Sequence, residues 1–177
     1  DGGNTETPGG DSGNTETPGG GGYIENPEEE VTPGALVVVL SAAEKPCEDF
    51  PEGNTCTETT TYTIGGYEWT FSPSEKFGWI SNKSMIVWGK KDAYILLPAL
   101  EGKKLSTVKF ENGGTKPTVG VFDESGASVV TGGEEKTLDA PGEFTWDLSG
   151  TEVETHYQLR ITNEVNAQLR QLTLIYE

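Results

Sequence analysis

Beyond residue 34, apolar side chains recur with the two-residue period of β-strands, and no stretch carries an apolar stripe at helical spacing. Tyr67, Trp69 and Phe71 share one phase, while Glu68, Thr70 and Ser72 share the other. Phe144, Trp146 and Leu148 alternate with Thr145 and Asp147, and Tyr157, Leu159 and Ile161 alternate with Gln158, Arg160 and Thr162. Successive side chains leave a strand on opposite sides, so each pattern predicts one face on a core and one on solvent. The closing segment, Ala167 to Tyr176, changes phase midway: Ala167 and Leu169 lie on one phase, Leu172, Leu174 and Tyr176 on the other. A bulge near Arg170-Gln171 would return both sets to the core face.

The block from Ala93 to Phe122 holds three further strands: Tyr94 to Leu97, an apolar run suited to burial on both faces, Leu105 to Phe110, and Pro117 to Phe122. Between the last two stands Glu111-Asn112-Gly113-Gly114. Asn-Gly accepts the positive φ of a tight turn, which predicts that these two strands pair as a hairpin. Gly65-Gly66 predicts a second hairpin, joining Thr59–Ile64 to Tyr67–Ser72. Ala35 to Leu40 reads as a central or well-covered strand, Met85 to Trp88 and Ser128 to Val130 as short ones, and residues 72–84 as a polar loop. About ten short, closely spaced strands without helices predict an all-β fold, a sandwich of two antiparallel sheets.

The start of the chain is different in kind. DGGNTETPGG is repeated as DSGNTETPGG, and Tyr23-Ile24 is the one apolar pair before Val31. Gly, Pro, Thr and acidic residues bury too little surface to offset ordering, so residues 1–34 are expected to form a disordered linker ahead of a sandwich domain at 35–177. The linker holds eight acidic and no basic side chains, leaving 21 acidic against 12 basic residues in the domain. Both parts repel phosphate, which argues against nucleic acid and against an anionic membrane face as partners. No apolar run approaches the length of a bilayer span. With no initiator Met and no leader, a processed or trimmed start is expected. Cys47 and Cys56 flank a Pro-, Gly- and acid-rich loop, CEDFPEGNTC, whose composition predicts a surface disulfide stabilising by roughly 2–3 kcal/mol outside a reducing cytoplasm.

The succession AYILLPALEGKKLSTVKF, PTVGVFDESG, FTWDL and YQLRITNEVNAQLRQLTLIYE resembles the galactose-binding-like jelly-roll domains of secreted and surface proteins of gut Bacteroidetes, several of which are carbohydrate-binding modules. The acidic linker, in turn, resembles the tether that follows the lipid-modified cysteine of bacterial surface lipoproteins. Together these resemblances imply an exported, cell-surface or extracellular protein, with membrane contact only through a lipid anchor outside this sequence, and a glycan or polysaccharide as ligand. Calcium is common in jelly-roll modules of this kind, and Asp123 and Glu124 in the Asp123–Gly126 turn have a suitable composition. The same four residues also make an ordinary turn.

The catalytic inventory is thin. GxSxG, HExxH, Walker and GxGxxG patterns are missing, and the one histidine, His156, reads as a solvated edge residue. An acidic pair for glycoside hydrolysis has candidates in Glu68, Glu75, Asp92, Asp123 and Asp147, but sequence does not set their separation. Sugars offer apolar C–H faces and hydroxyls, so a flat ring among short polar side chains is the more informative sign. Trp79 fits it, in a polar loop with Phe77, Asn82 and Lys83; the alternative is that Phe77 and Trp79 cap one end of the core. Trp69 and Trp146 fall on inward phases, and Trp88 suits either role. The leading expectation is therefore a non-enzymatic carbohydrate-binding module with Trp79, Phe77, Asn82, Lys83 and Trp88 at its site. Protein docking by strand addition through Ala35–Leu40 comes second, and a glycoside hydrolase third.

Overall fold

A computed structural model of the chain describes Gly2 and residues 34–177. The linker expected over residues 1–34, including its repeat and Tyr23-Ile24, otherwise lies outside the described residues. In chain order the strands are β1 (Leu36–Ser41), β2 (Thr60–Ile64), β3 (Tyr67–Ser72), β4 (Gly78–Ile80), β5 (Met85–Val87) and β6 (Tyr94–Leu96). They continue with β7 (Leu105–Asn112), β8 (Thr118–Phe122), β9 (Lys136–Thr137), β10 (Gly142–Asp147), β11 (Gln158–Ile161) and β12 (Gln168–Tyr176). One 3₁₀ turn, Ser81–Lys83, joins β4 to β5.

Two antiparallel six-stranded sheets result, as the alternation predicts. The first runs β10-β7-β12-β5-β4, with β1 also on β12; the second runs β2-β3-β6-β11-β8-β9. Trp69, Phe71, Ile95, Val121 and Leu159 of the second sheet and Val108, Phe110, Trp146, Leu172 and Leu174 of the first are buried in a shared core. The expected Gly65-Gly66 hairpin forms, with Ile64 opposite Tyr67 and both glycines at positive φ. The bulge in the last strand also forms. Leu169 pairs with Asn112 and Gln171 with Glu111, so Arg170 is the extra residue, and its carbonyl accepts the Ala42 N–H at 2.8 Å.

Four expectations are corrected. The Asn112-Gly113 segment does not close a hairpin: β7 pairs with β10 and β12 in the first sheet, while β8 pairs with β11 and β9 in the second. The Asn112 side chain is buried, and its amide donates to the carbonyls of Thr115 and Ala140 at 2.8 and 2.9 Å, so the turn carries the chain from one sheet to the other. Secondly, β1 is an edge strand. It lies on the β5 side of β12, only Val38 and Leu40 face the core, and Val37 and Val39 are 41% and 44% exposed. Thirdly, part of the 72–84 loop is β4, paired with β5 from Gly78 to Ile80, whereas Ser128–Val130 contributes one isolated bridge, Phe122 to Val129, and no strand.

Fourthly, Cys47 and Cys56 are free thiols. The loop between them is held by other means. Phe50 is buried with its ring 4.9 to 5.8 Å from those of Tyr62, Phe71 and Phe77, and Cys56 exchanges backbone hydrogen bonds with Phe77 at 3.1 and 2.8 Å. The Cys56 thiol is directed at the Glu58 carbonyl, 3.6 Å away.

Candidate functional site

The residues that alternate with the core of the second sheet form its outer face. Register places Thr61, Thr70, Leu96, Gln158 and Phe122 in one row across five strands, and Ser72, Tyr94, Arg160 and Gly120 in the next. Hydroxyls line one margin, where Thr61 and Thr70, and Thr59 and Ser72, are hydrogen-bonded pairs at 2.7 Å.

Arg160 is the centre of this face. One guanidinium nitrogen donates to Asp92 Oδ1 at 2.9 Å and another to Gln158 Oε1 at 3.3 Å, and the guanidinium carbon stands 6.0 Å from the centroid of the Tyr94 ring. Asp92 reaches it from the turn before β6, where it is a non-glycine residue at φ 72 whose N–H donates to the Ile161 carbonyl at 2.9 Å. A non-glycine residue in the left-handed region costs about 1 kcal/mol or more, and such strain gathers where a side chain must be aimed. Here it aims a carboxylate at an arginine. The ion pair is open to solvent on the carboxylate side, so its value lies in orientation more than in stability.

Gln158 is held from the other side. Its amide donates to the Glu124 carbonyl at 2.6 Å, and the Asp123–Gly126 turn presses close enough that a Cβ on Gly126 would lie 2.7 Å from Gln158 Oε1 and 2.8 Å from Arg160 Nη1. Only glycine allows that approach. The Asp123 carboxylate locks the same turn, accepting from the Ser125 hydroxyl at 2.5 Å and from the N–H groups of Ala127 and Ser128 at 3.1 and 3.0 Å. The Ser125 hydroxyl first, and then these N–H groups, hold its pKa below the ordinary aspartate range. Asp123 thus spends its oxygens on the turn, and Glu124 gives its carbonyl to Gln158. Among the described residues no three His, Cys, Asp or Glu side chains come together as metal ligands.

The residues expected from sequence are dispersed. Phe77 is buried and stacked on Phe71 at 5.3 Å, and Trp88 is buried 6.3 Å from Phe110; neither ring reaches the surface. Trp79 is half-buried on β4, its indole N–H donating to the Ala42 carbonyl at 2.8 Å, so the core-cap alternative describes Phe77 and partly describes Trp79. Asn82 and Lys83 are exposed on the 3₁₀ turn beside it, at the edge of the first sheet. Of the acidic candidates, Glu75 is ion-paired with Lys90 at 3.1 Å, Asp92 with Arg160, and Asp147 lies on β10 in the other sheet. The outward phases of Gln158 and Arg160 were visible in the alternation. Tyr94 was not, because the run Tyr94–Leu97 looks apolar throughout.

Beside Gln158 the face ends in a cavity of about 220 Å³, lined by Tyr67, Glu68, Pro98, Ala99, Leu100 and His156. His156 Nδ1 is 2.7 Å from the Leu97 carbonyl.

No protein-family model matches the chain, and no curated protein does. Among solved structures the chain is similar to one described as a new low-affinity xylan-binding module, CBM86, from the xylanolytic gut symbiont Roseburia intestinalis, with a TM-score of 0.39 and 12% identity over 81% of this chain and 96% of that one.

Proposed function

We propose that residues 35–177 are a non-catalytic carbohydrate-binding module whose glycan lies across the outer face of the second sheet. The supporting observation is the grouping of Tyr94 on β6, Gln158 and Arg160 on the adjacent β11, and Asp92 from the turn before β6. A half-exposed ring offers a surface for sugar C–H groups. A guanidinium has more N–H donors than its two bonds here use, and the exposed Asp92 carboxylate supplies an acceptor beside it, which suits neighbouring hydroxyls on one sugar, while the buried Gln158 holds the guanidinium from below. Three of the groups sit on strands, the fourth on the short turn before β6, and they are fixed by one another, so little freedom is lost on binding. In this reading the acidic linker is a tether for an exported module, and the site lies away from Trp79, Asn82 and Lys83.

The test is a glycan array followed by calorimetry on the best hit, with and without chelator. Tyr94→Ala and Arg160→Ala should each weaken binding about tenfold or more, as for central contacts of an interface, with unchanged melting. Trp79→Ala should leave affinity unaltered. Retained affinity in both face variants, or its loss in Trp79→Ala alone, would move the site back to the first-sheet edge.

A second reading, docking of a protein segment by strand addition, has the exposed edge of β1 in its favour: Leu36–Ser41 carries no charge or proline to deter pairing. The β1 amides that do not bond to β12 should then exchange rapidly in the free protein. Slow exchange along all of β1, in a protein monomeric at every concentration, would exclude it.

A further inference from the structure

We infer that the cavity at the end of the outer face is a subsite for a ring bearing a protonated primary amine, which in a glycan is an amino sugar. The inference rests on the reading of the face as a glycan site and adds the chemistry of one position in it.

The cavity continues the face. His156, Gln158 and Arg160 follow one another at two-residue steps, and Glu68, Thr70 and Ser72 do the same on β3. Two such steps span about 13 Å, so a chain lying over Tyr94 and Arg160 along β11 reaches the cavity with its end. At about 220 Å³ the space falls below that of a drug-sized pocket and suits one ring.

Its lining combines apolar groups with acceptors. Pro98, Ala99 and Leu100 contribute apolar surface, and the half-buried Tyr67 contributes a ring suited to a sugar or a cation. The Leu97 carbonyl can only accept, so His156 Nδ1 carries the proton of that 2.7 Å bond. In the neutral ring, Nε2 is then an acceptor. Glu68 supplies a carboxylate that has no hydrogen-bond or ion-pair partner among the described residues, and no Lys or Arg lines the cavity. Glu154, on the adjoining turn, is already engaged by the Gly102 N–H at 2.6 Å. Glu68 is exposed, and an ammonium beside its carboxylate gains an ion pair that a neutral sugar does not offer, while an N-acetylated one would add bulk without charge. An ammonium on a compact ring answers both the charge and the Nε2 acceptor.

His156 is the only histidine of the chain, so its ring resonances report on the cavity without assignment ambiguity. The full-length protein would be titrated by NMR, in about 0.15 M salt to screen its net negative charge, with the trimer of glucosamine, the trimer of N-acetylglucosamine, the β-1,4-linked trimer of glucose, and cyclohexylammonium. The glucosamine trimer should shift His156 and bind about tenfold more tightly than its acetylated counterpart, the scale of one partly solvated ion pair at a recognition site. Glu68→Gln should abolish that preference and leave the glucose trimer unaffected, while Glu143→Gln on the other sheet should preserve it. A preference that survives Glu68→Gln, or a saturating glucosamine trimer that leaves His156 unmoved, overturns the subsite while the glycan reading stands. If no trimer binds, a Glu68-dependent response to cyclohexylammonium would still uphold the cavity as an ammonium site and no response would overturn it, while the glycan reading of the face is decided separately by the array.

Discussion

Gly78→Ala should destabilise the protein by about 3 kcal/mol or more, among the larger costs of adding one methyl group to a packed site. A Cβ at Gly78 would stand 1.7 Å from the Gly53 carbonyl oxygen and 2.8 Å from its carbon, so relief requires moving backbone rather than turning a side chain. That backbone is tied down. Trp79 N–H donates to the Pro51 carbonyl and Gly53 N–H to the Trp79 carbonyl, both at 2.8 Å, and Cys56 and Phe77 exchange a further pair of bonds. The loop thereby covers the β4 edge of the first sheet, and it brings Phe50 into the aromatic cluster with Phe71 and Phe77. Pushing it away exposes an edge and unseats a buried ring in one step. For a domain of this size the melting temperature should fall by about 6–12 °C, followed by circular dichroism; a fall of less than about 2 °C would show that the loop yields cheaply.

This loop also shows where sequence reading loses its grip. Composition made Cys47–Cys56 look like a surface excursion in need of a covalent staple, and residues 72–84 look like another loop. Two irregular segments that are unremarkable alone become a covered sheet edge together, because the partner of each backbone group lies more than twenty residues away. Local alternation carries no information about that. Where the pattern is complete within one strand, as in β3, β10 and β11, alternation identified the inward residues, and in β12 even the change of phase was enough to locate the bulge at Arg170. The candidate site was legible only in part. Arg160 and Gln158 fall on an outward phase, but their meaning comes from Tyr94 and Asp92, which neighbouring strands and a strained turn bring to them from more than sixty residues earlier. Of the aromatic residues that stood out in sequence, Phe77 and Trp88 are buried and Trp79 is half-buried, for the ordinary reason that large rings remove much apolar surface from water.

Asn112→Ala should cost about 2–4 kcal/mol, more than a surface turn residue could, because the Asn-Gly pair that suggests a hairpin is a buried junction instead. The Asn112 amide donates to Thr115 and Ala140 at 2.8 and 2.9 Å and to Leu138 at 3.4 Å. Residues 112–115 lead out of the first sheet toward β8, and residues 138–140 lead from β9 back to β10. One side chain thus ties together two of the crossings between the sheets. Its own carbonyl oxygen is buried without a partner, so truncation loses donors and leaves backbone oxygens unpaired, while nothing is lost on the acceptor side. Asn112→Asp separates this account from simple loss of packing. It keeps the volume, but sets a carboxylate against two close carbonyl oxygens, and the folded protein then disfavours the charged form. The folded-state pKa of the new carboxyl lies above its unfolded value, so its penalty is smallest below the unfolded pKa and grows as pH rises through the folded one. Urea melts of Asn112→Asp should therefore approach those of Asn112→Ala in acid and fall well below them near neutrality, relative to wild type at each pH. If both variants instead track wild type, within about 0.5 kcal/mol at neutral pH, the crossing does not depend on Asn112 and the turn is held by its glycines alone.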